Sequence, residues 1–362
     1  MANPPSASSA TVAPHSYLGD IFTFNWSEFR VHLPVVCATA VAICLFGGIM
    51  AGHPGAALLA GGGAYTIGFG ANQRTADSRV LPMLLAIIAV SSASLAGSLA
   101  GHRGYALLIA AVISAAIYGR VFPRANGISW VSQQASIALL VASAFPTSLK
   151  LACMRAGIIF LGGLVQLVMT TAALHLTPEL RRDLLALHRH GEQFIAEVWH
   201  LPLEGDTAGS TAYVVRIVLT MAAATWIYLQ SGISSGYWIP MTALLVQKPG
   251  AMDTLTRATL RIMGTLLGAW LCTLLVAHLH PTPYTLATLS VIFAFSAFAT
   301  NTVHYGLFSA CVTSYIVVLL SLHQVQSDVI AHRRAVCTIA GGAIAVALHL
   351  DAIFRQPTAE IS

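Results

Sequence analysis

Charged side chains are scarce in this chain: 18 Lys and Arg and 13 Asp and Glu make up 9% of 362 residues, where soluble domains carry roughly 25%. That scarcity excludes a disordered chain, a nucleic-acid binder and an ordinary soluble enzyme. Cysteine is sparse too. Cys37, Cys44, Cys153, Cys272, Cys311 and Cys337 lie in or beside apolar stretches with no CxxC spacing, so they read as small core hydrophobes, not as a disulfide or zinc framework. Acids are missing from the apolar runs, the nearest being Asp328 and Asp351 at their ends. Without buried acids, a cation transporter or a carboxylate-driven antiporter is hard to build, and proton coupling falls to histidine. Of the histidines, His53, His102, His278, His280, His323 and His332 fall on the expected outer side. No GxSxG, Walker loop, GxGxxG after a strand or HExxH is present. An enzyme, a metal and any other cofactor are therefore not expected.

What is abundant is apolar sequence, 56% of the chain, enough for ten to twelve helices of about 20 residues across a bilayer core of about 30 Å. The expected fold class is all-α, a polytopic membrane protein. Spans read as 31–51, 55–70, 80–100, 104–119, 128–146 and 149–176, then 213–231, 233–247, 260–279, 284–300, 306–322 and 328–354. Several are short, which suits helices shielded by neighbours or lining a cavity. The Ala/Ser/Pro-rich residues 1–20 are expected to be a disordered tail, and the aromatic stretch Ile21 to Arg30 an interfacial segment. With the N-terminus inside, Arg30, Arg74, Arg79, Arg120, Arg124, Arg181, Arg182, Arg189, Arg216, Lys248, Arg257, Arg261 and Arg355 face the cytoplasm, against Arg103, Lys150, Arg155, Arg333 and Arg334 outside. This segregation favours twelve spans with both termini cytoplasmic.

The second half repeats the first. A shift of 179 places Tyr105 on Tyr284, Ser148 on Ser327, Arg155-Ala156 on Arg334-Ala335 and Gly162-Gly163 on Gly341-Gly342. The expected organisation is a tail (1–20), a six-span repeat (21–176), a cytoplasmic amphipathic helix and linker (177–212), a second six-span repeat (213–355) and a C-terminal tail (356–362). Thr177-Pro178-Glu179 starts that helix, with Leu180, Leu184, Leu187, Phe194 and Val198 on its apolar side. The linker is Glu204 to Ser210. An even span number gives parallel repeats about an axis along the membrane normal, a natural place for a pore.

One stretch is more specific. Gly236-Tyr237-Trp238-Ile239-Pro240-Met241-Thr242, then Gln247-Lys248-Pro249-Gly250, then Arg257, Arg261 and Gly264-Thr265-Leu266-Leu267-Gly268 resembles the signature of the fusaric acid resistance (aromatic acid exporter) family. There a Tyr-Trp-x-Pro-x-Thr helix leads through a Gln-Pro loop into an Arg-x-x-Gly-Thr-x-x-Gly helix. The resemblance implies an inner-membrane exporter of aromatic carboxylates; in layout alone the chain is also similar to plant aluminium-activated malate channels. It departs from the family in its short cytoplasmic portion and in its first repeat, which has His53-Pro54-Gly55 and Ala64-Tyr65-Thr66 in place of the motif.

Arg155 and Arg334 are the strongest candidates for binding an anion. Ser148 and Ser327 as N-caps would put each arginine about 10 Å into its helix. An arginine at that depth costs at least about 2.5 kcal/mol and faces protein or a wet cavity, unless it snorkels to the headgroups. Two at equal depth would make a positive constriction for carboxylates. Arg257 and Arg261, at i and i+4, continue into Gly264 and Gly268 as a basic face. With Gln247, Lys248, Arg74 and Arg79 they form either an anion-collecting entrance or topology determinants. Tyr237 and Trp238 offer stacking or interface anchoring, and His304-Tyr305 and Trp130 with Gln133-Gln134 lie at helix ends. The expected partners are an organic anion and the bilayer, with no nucleic acid; assembly with a second copy stays open. The alternatives to an exporter are a passive organic-anion channel and a structural or envelope-stress membrane protein without substrate.

Overall fold

A computed structural model describes residues 17–349, apart from 76–77, 102, 123–125, 200–206, 234, 280 and 323–326. The described residues form helices and no strand. In chain order these are α1 (Tyr17–Phe22), α2 (His32–Met50), α3 (Pro54–Gly68), α4 (Val80–Ala100), α5 (Gly104–Val121), α6 (Asn126–Ser143), α7 (Leu149–Ala173) and α8 (Thr177–Trp199). There follow α9 (Thr207–Ser231), α10 (Trp238–Val246), α11 (Ala251–Leu279), α12 (Pro283–Thr300), α13 (Tyr305–Ser321) and α14 (Ser327–Ala347). The expected tail at 1–20 lies largely outside the described residues and that at 356–362 wholly so, but Tyr17–Phe22 is helical. Of the expected linker, residues 204–206 lie outside, and α9 begins at Thr207.

Helices α2, α4, α5, α7, α9, α11, α12 and α14 contain stretches long and apolar enough to cross a membrane, and α13 is a shorter apolar helix. The remaining predicted spans differ for identifiable reasons. α3 has 15 residues and α10 only 9, while α6 carries Ser129, Ser132, Gln133, Gln134 and Ser136. In α10 every residue but Leu245 is buried, and a helix wrapped by protein has no need to match the bilayer. Apolar stripes stay exposed on the outer helices: Ile109, Ile113 and Ile117 on α5, Met154, Leu161 and Val168 on α7, Met263, Leu267, Trp270 and Leu274 on α11. Such bands are what hydrocarbon chains cover. The protein is a multi-pass, all-helical membrane protein.

Within the first half α4 packs on α6 and α7, and α3 on α7 and α2; within the second, α11 packs on α13 and α14, and α10 on α14 and α9. The halves meet along two seams, α5 on α9 and α12 on α2. At one pair of contacts the correspondence is exact in register. A Cβ on Gly162 would collide with the Ala60 carbonyl oxygen, and one on Gly341 with that of Ile239. Only glycine lets α7 approach α3, and α14 approach α10, so closely.

α8 caps one end of the bundle, and its docking differs from the amphipathic pattern. Leu180 packs on the core, whereas Leu184 and Leu185 are exposed. The residue turned inward is Asp183, which accepts a hydrogen bond from the Ser78 hydroxyl and pairs with Arg182. Ser78 Oγ in turn accepts from the amides of Val80 and Leu81 at the start of α4, and Glu179 accepts from the amide of Arg79. Two carboxylates thus sit at the positive end of α4, where the first-turn amides need acceptors.

Candidate functional site

α11 starts at the α8 end of the bundle and α14 at the opposite end. Arg261, ten residues along α11, lies about 15 Å in, and Arg334, seven residues along α14, about 10 Å in. Both are buried, at 3% and 1% exposure, and their charges lie within electrostatic reach of each other. The Arg334 guanidinium lies over the Trp238 ring, 4.0 Å from its centroid, and its Nε donates to Thr313 Oγ1 at 3.2 Å. Trp238 is placed by the first turn of α10 and Thr313 by α13, which the bare backbones of Gly264 and Gly268 allow to press against α11. The ring contact and one hydrogen bond hold the guanidinium in place. Its Nη1 and Nη2 are buried without any partner, as are Nε of Arg261, the hydroxyl of Thr265 one turn along α11, and the hydroxyl of Tyr65 on α3.

No ion pair joins either arginine to an acid among the described residues. A buried guanidinium with no counter-charge is an expensive arrangement, and each group left over here can donate a hydrogen bond. A fork of two Nη groups has the geometry to grip a carboxylate through two hydrogen bonds.

Arg155 is placed otherwise. It is half-buried and its Nη1 donates to the Phe145 carbonyl at 2.7 Å, in the connection just after α6. The symmetric pair of arginines is therefore not formed. The same 179-residue shift supplies the reason: the position of Trp238 falls on Leu59 and that of Thr313 on Gln134. Arg155 has no ring to lie on, and it turns to the helix end. Ser148 occupies the N-cap position of α7, but its side chain makes no capping bond.

Towards the α8 end, Arg257 lies one turn before Arg261, with its guanidinium over Tyr305 at 4.0 Å and its Nε unpartnered. Beyond it opens a cleft of about 540 Å³ lined by Arg74, Tyr118, Phe122, Trp130, Gln133 and Lys248, among others. Lys248 Nζ sits 5.0 Å from the centroid of Phe122. Burial, reinforced by the charge of Arg257 and opposed by Asp253, lowers its pKa to about 7. Its carbonyl accepts from His349 Nε2, and burial lowers the pKa of His349 as well. Gln247 is fully buried and accepts from Thr220 at 3.0 Å, leaving its own amide nitrogen unpartnered.

Two sequence candidates have other work. Tyr237 is buried against Trp238, not at a lipid interface. His304 caps α13, its Nδ1 accepting from the Leu307 amide, while Nε2 donates to the Ile21 carbonyl at 2.8 Å and Phe24 stacks on its ring at 4.2 Å. Both nitrogens hold backbone. Tyr65, Thr265 and Thr313 escaped sequence reasoning; only Ser309 and Thr313, at i and i+4 in an apolar helix, left a readable polar stripe.

The chain is thus a multi-pass helical membrane protein with two arginines buried in its interior. Residues 207–348, from α9 through α14, match the fusaric acid resistance protein-like family, as the motif around Trp238 indicated. Two curated relatives match part of the chain. An uncharacterized protein, slr1298, from Synechocystis sp. is 30% identical over 129 residues, 35% of this chain and 17% of its own length. An uncharacterized protein, ORF2, from Neisseria gonorrhoeae is 31% identical over 142 residues, 38% of this chain and 33% of its own length. The chain thus spans a third or less of these relatives. No solved structure matches it.

Proposed function

We propose that the protein is a transporter in a bacterial-type inner membrane that exports organic anions, aromatic carboxylates first among them. Arg334 carries this reading: a buried, stacked guanidinium whose two outer nitrogens have no partner. Arg257 and Arg261 lead to it from the cleft at the α8 end, which the basic-residue count assigns to the cytoplasm. The aromatic preference is supported by the rings against the arginines, Trp238 at Arg334 and Tyr305 at Arg257, with Trp130 at the entrance. The matching helix pairs of the two halves, with glycine contacts in one register, support a pseudo-two-fold path between repeats. Arg334 is closed off from solvent at 1% exposure, which favours a carrier over a continuously open pore. A purely structural protein would have no use for an uncompensated buried charge.

The test is benzoate flux from liposomes containing the full-length protein. Arg334→Gln is expected to lower flux at least 100-fold, since truncating a buried charged partner costs roughly 3 kcal/mol or more. Arg155→Gln should leave flux within about twofold of wild type, as exposed polar contacts carry little. Equal flux in wild type and Arg334→Gln would overturn the proposal.

A further inference from the structure

The segment Ile21 to Arg30, between α1 and α2, lies against the turn joining α12 to α13, at the end of the bundle where α11 begins. Within it only Ile21 is buried; residues 22–30 are all exposed. Few contacts hold it. The Asn25 amide donates to the Val303 carbonyl at 3.0 Å, the Thr302 hydroxyl donates to the Glu28 carbonyl at 3.4 Å, and His304 donates to the Ile21 carbonyl at 2.8 Å while Phe24 stacks on its ring. α1 also packs on α11. His304 is the one side chain in these bonds that can gain a charge.

Its protonation state follows from its partners. The Leu307 amide can only donate, so Nδ1 is a bare acceptor, and Nε2 carries the hydrogen that reaches Ile21. A second proton has no place. On Nδ1 it would face the Leu307 N–H, setting two donors against each other at 3.3 Å, at a helix end where the amides already concentrate positive charge. No ion pair joins the ring to an acid among the described residues. Of the charged residues on the elements around it, Glu28 and Arg30 are exposed and Arg257 of α11 lies over Tyr305. An imidazolium therefore has to leave the end of α13, and the Ile21 bond and the Phe24 stack go with it.

We propose that residues 21–30 form a strap that neutral His304 clasps to the bundle and that protonation of His304 releases. The clasp adjoins the entrance, because the next residue, Tyr305, is the ring over which the Arg257 guanidinium sits at 4.0 Å. Losing the cap loosens the first turn of α13 and with it that ring. The freed strap stays at the membrane surface, since its exposed Phe22, Trp26 and Phe29 suit the headgroup layer. No transported anion enters this mechanism, so it stands or falls apart from the transport reading.

The test is amide hydrogen exchange of the full-length protein in lipid nanodiscs without ligand. Peptides spanning residues 21–30 are followed over about pH 5 to 8, where imidazoles ordinarily titrate, with the intrinsic pH dependence of exchange divided out. Protection of the strap, which the Asn25 amide bond supplies, is expected to fall about tenfold or more on acidification, the scale of losing a cap and a hydrogen bond. His304→Asn keeps an acceptor for the α13 amides but is too short to hold Ile21. It should leave the strap poorly protected at every pH and the start of α13 protected. His304→Gln, which offers a donor and an acceptor without titrating, should flatten the pH profile. Strap protection that is independent of pH in the wild type would overturn the proposal. So would a wild-type pH profile in both variants, because the titrating group would then lie elsewhere.

Discussion

At Arg334 a side chain predicted from its depth in an apolar helix meets an environment that no spacing rule announces. Its position and its basic character were legible, because an arginine about 10 Å inside a helix is costly wherever it lies. The ring beneath it, the Thr313 bond and the missing acid come from three other helices. The error over Arg155 has the same origin: equal register does not supply equal neighbours, and Leu59 cannot do for Arg155 what Trp238 does for Arg334. Replacing Trp238 by Leu removes a desolvated cation–π contact worth about 2 kcal/mol. Benzoate binding measured by calorimetry is then expected to weaken roughly 30-fold. Lys248 gives a pH signature. With its pKa held near 7 by burial, it loses its charge as pH rises through neutrality. Initial benzoate uptake rates should fall over that interval and be flat in Lys248→Arg. Stability moves the other way. Above about 7 the folded protein holds Lys248 neutral, while the unfolded chain keeps it charged up to its ordinary value of 10.5. Unfolding midpoints of the wild type should therefore rise across that window relative to Lys248→Met.

The helices themselves were the most readable feature, since apolar runs bounded by Gly, Pro and Arg mark their ends directly; predicted and observed limits of α4 coincide at 80–100. α10 was harder. Its nine residues extend less than half of the bilayer core at 1.5 Å per residue, and only its burial among neighbours explains it. α8 is helical over Thr177–Trp199, and of its expected apolar side Leu180 packs on the core while Leu184 is exposed. The periodic leucines suggest an apolar face, whereas the acids on the other side find the amides of α4. Asp183→Asn should weaken this joint by about 1.5–3 kcal/mol, the scale of a charge-assisted hydrogen bond. Limited proteolysis after Arg181 or Arg182 should accelerate accordingly. Ser78→Ala, which removes the other partner, is expected to give the same cleavage pattern.

Across the whole molecule, the seams α5–α9 and α2–α12 tie each half to the other through its neighbour's first helix. Covalent continuity between α8 and α9 is then dispensable. Halves encoded separately and divided between residues 203 and 204 should co-purify on a single affinity tag and bind benzoate as the intact chain does. The family match covers the half that contains Arg261, Arg334 and Trp238, while the seams draw on both halves; that is why the motif pointed to the site without revealing how the halves close around it. One consequence concerns the return journey. The Nη groups of Arg334 have no ligand of their own within the protein, so under the carrier mechanism proposed above the vacant protein would cross its midpoint with a naked charge in a dry interior, a costly state. A small anion riding back in the empty seat removes that barrier. Chloride supplied on the far side should therefore speed benzoate release, giving the kinetics of an exchanger and not of a one-way valve.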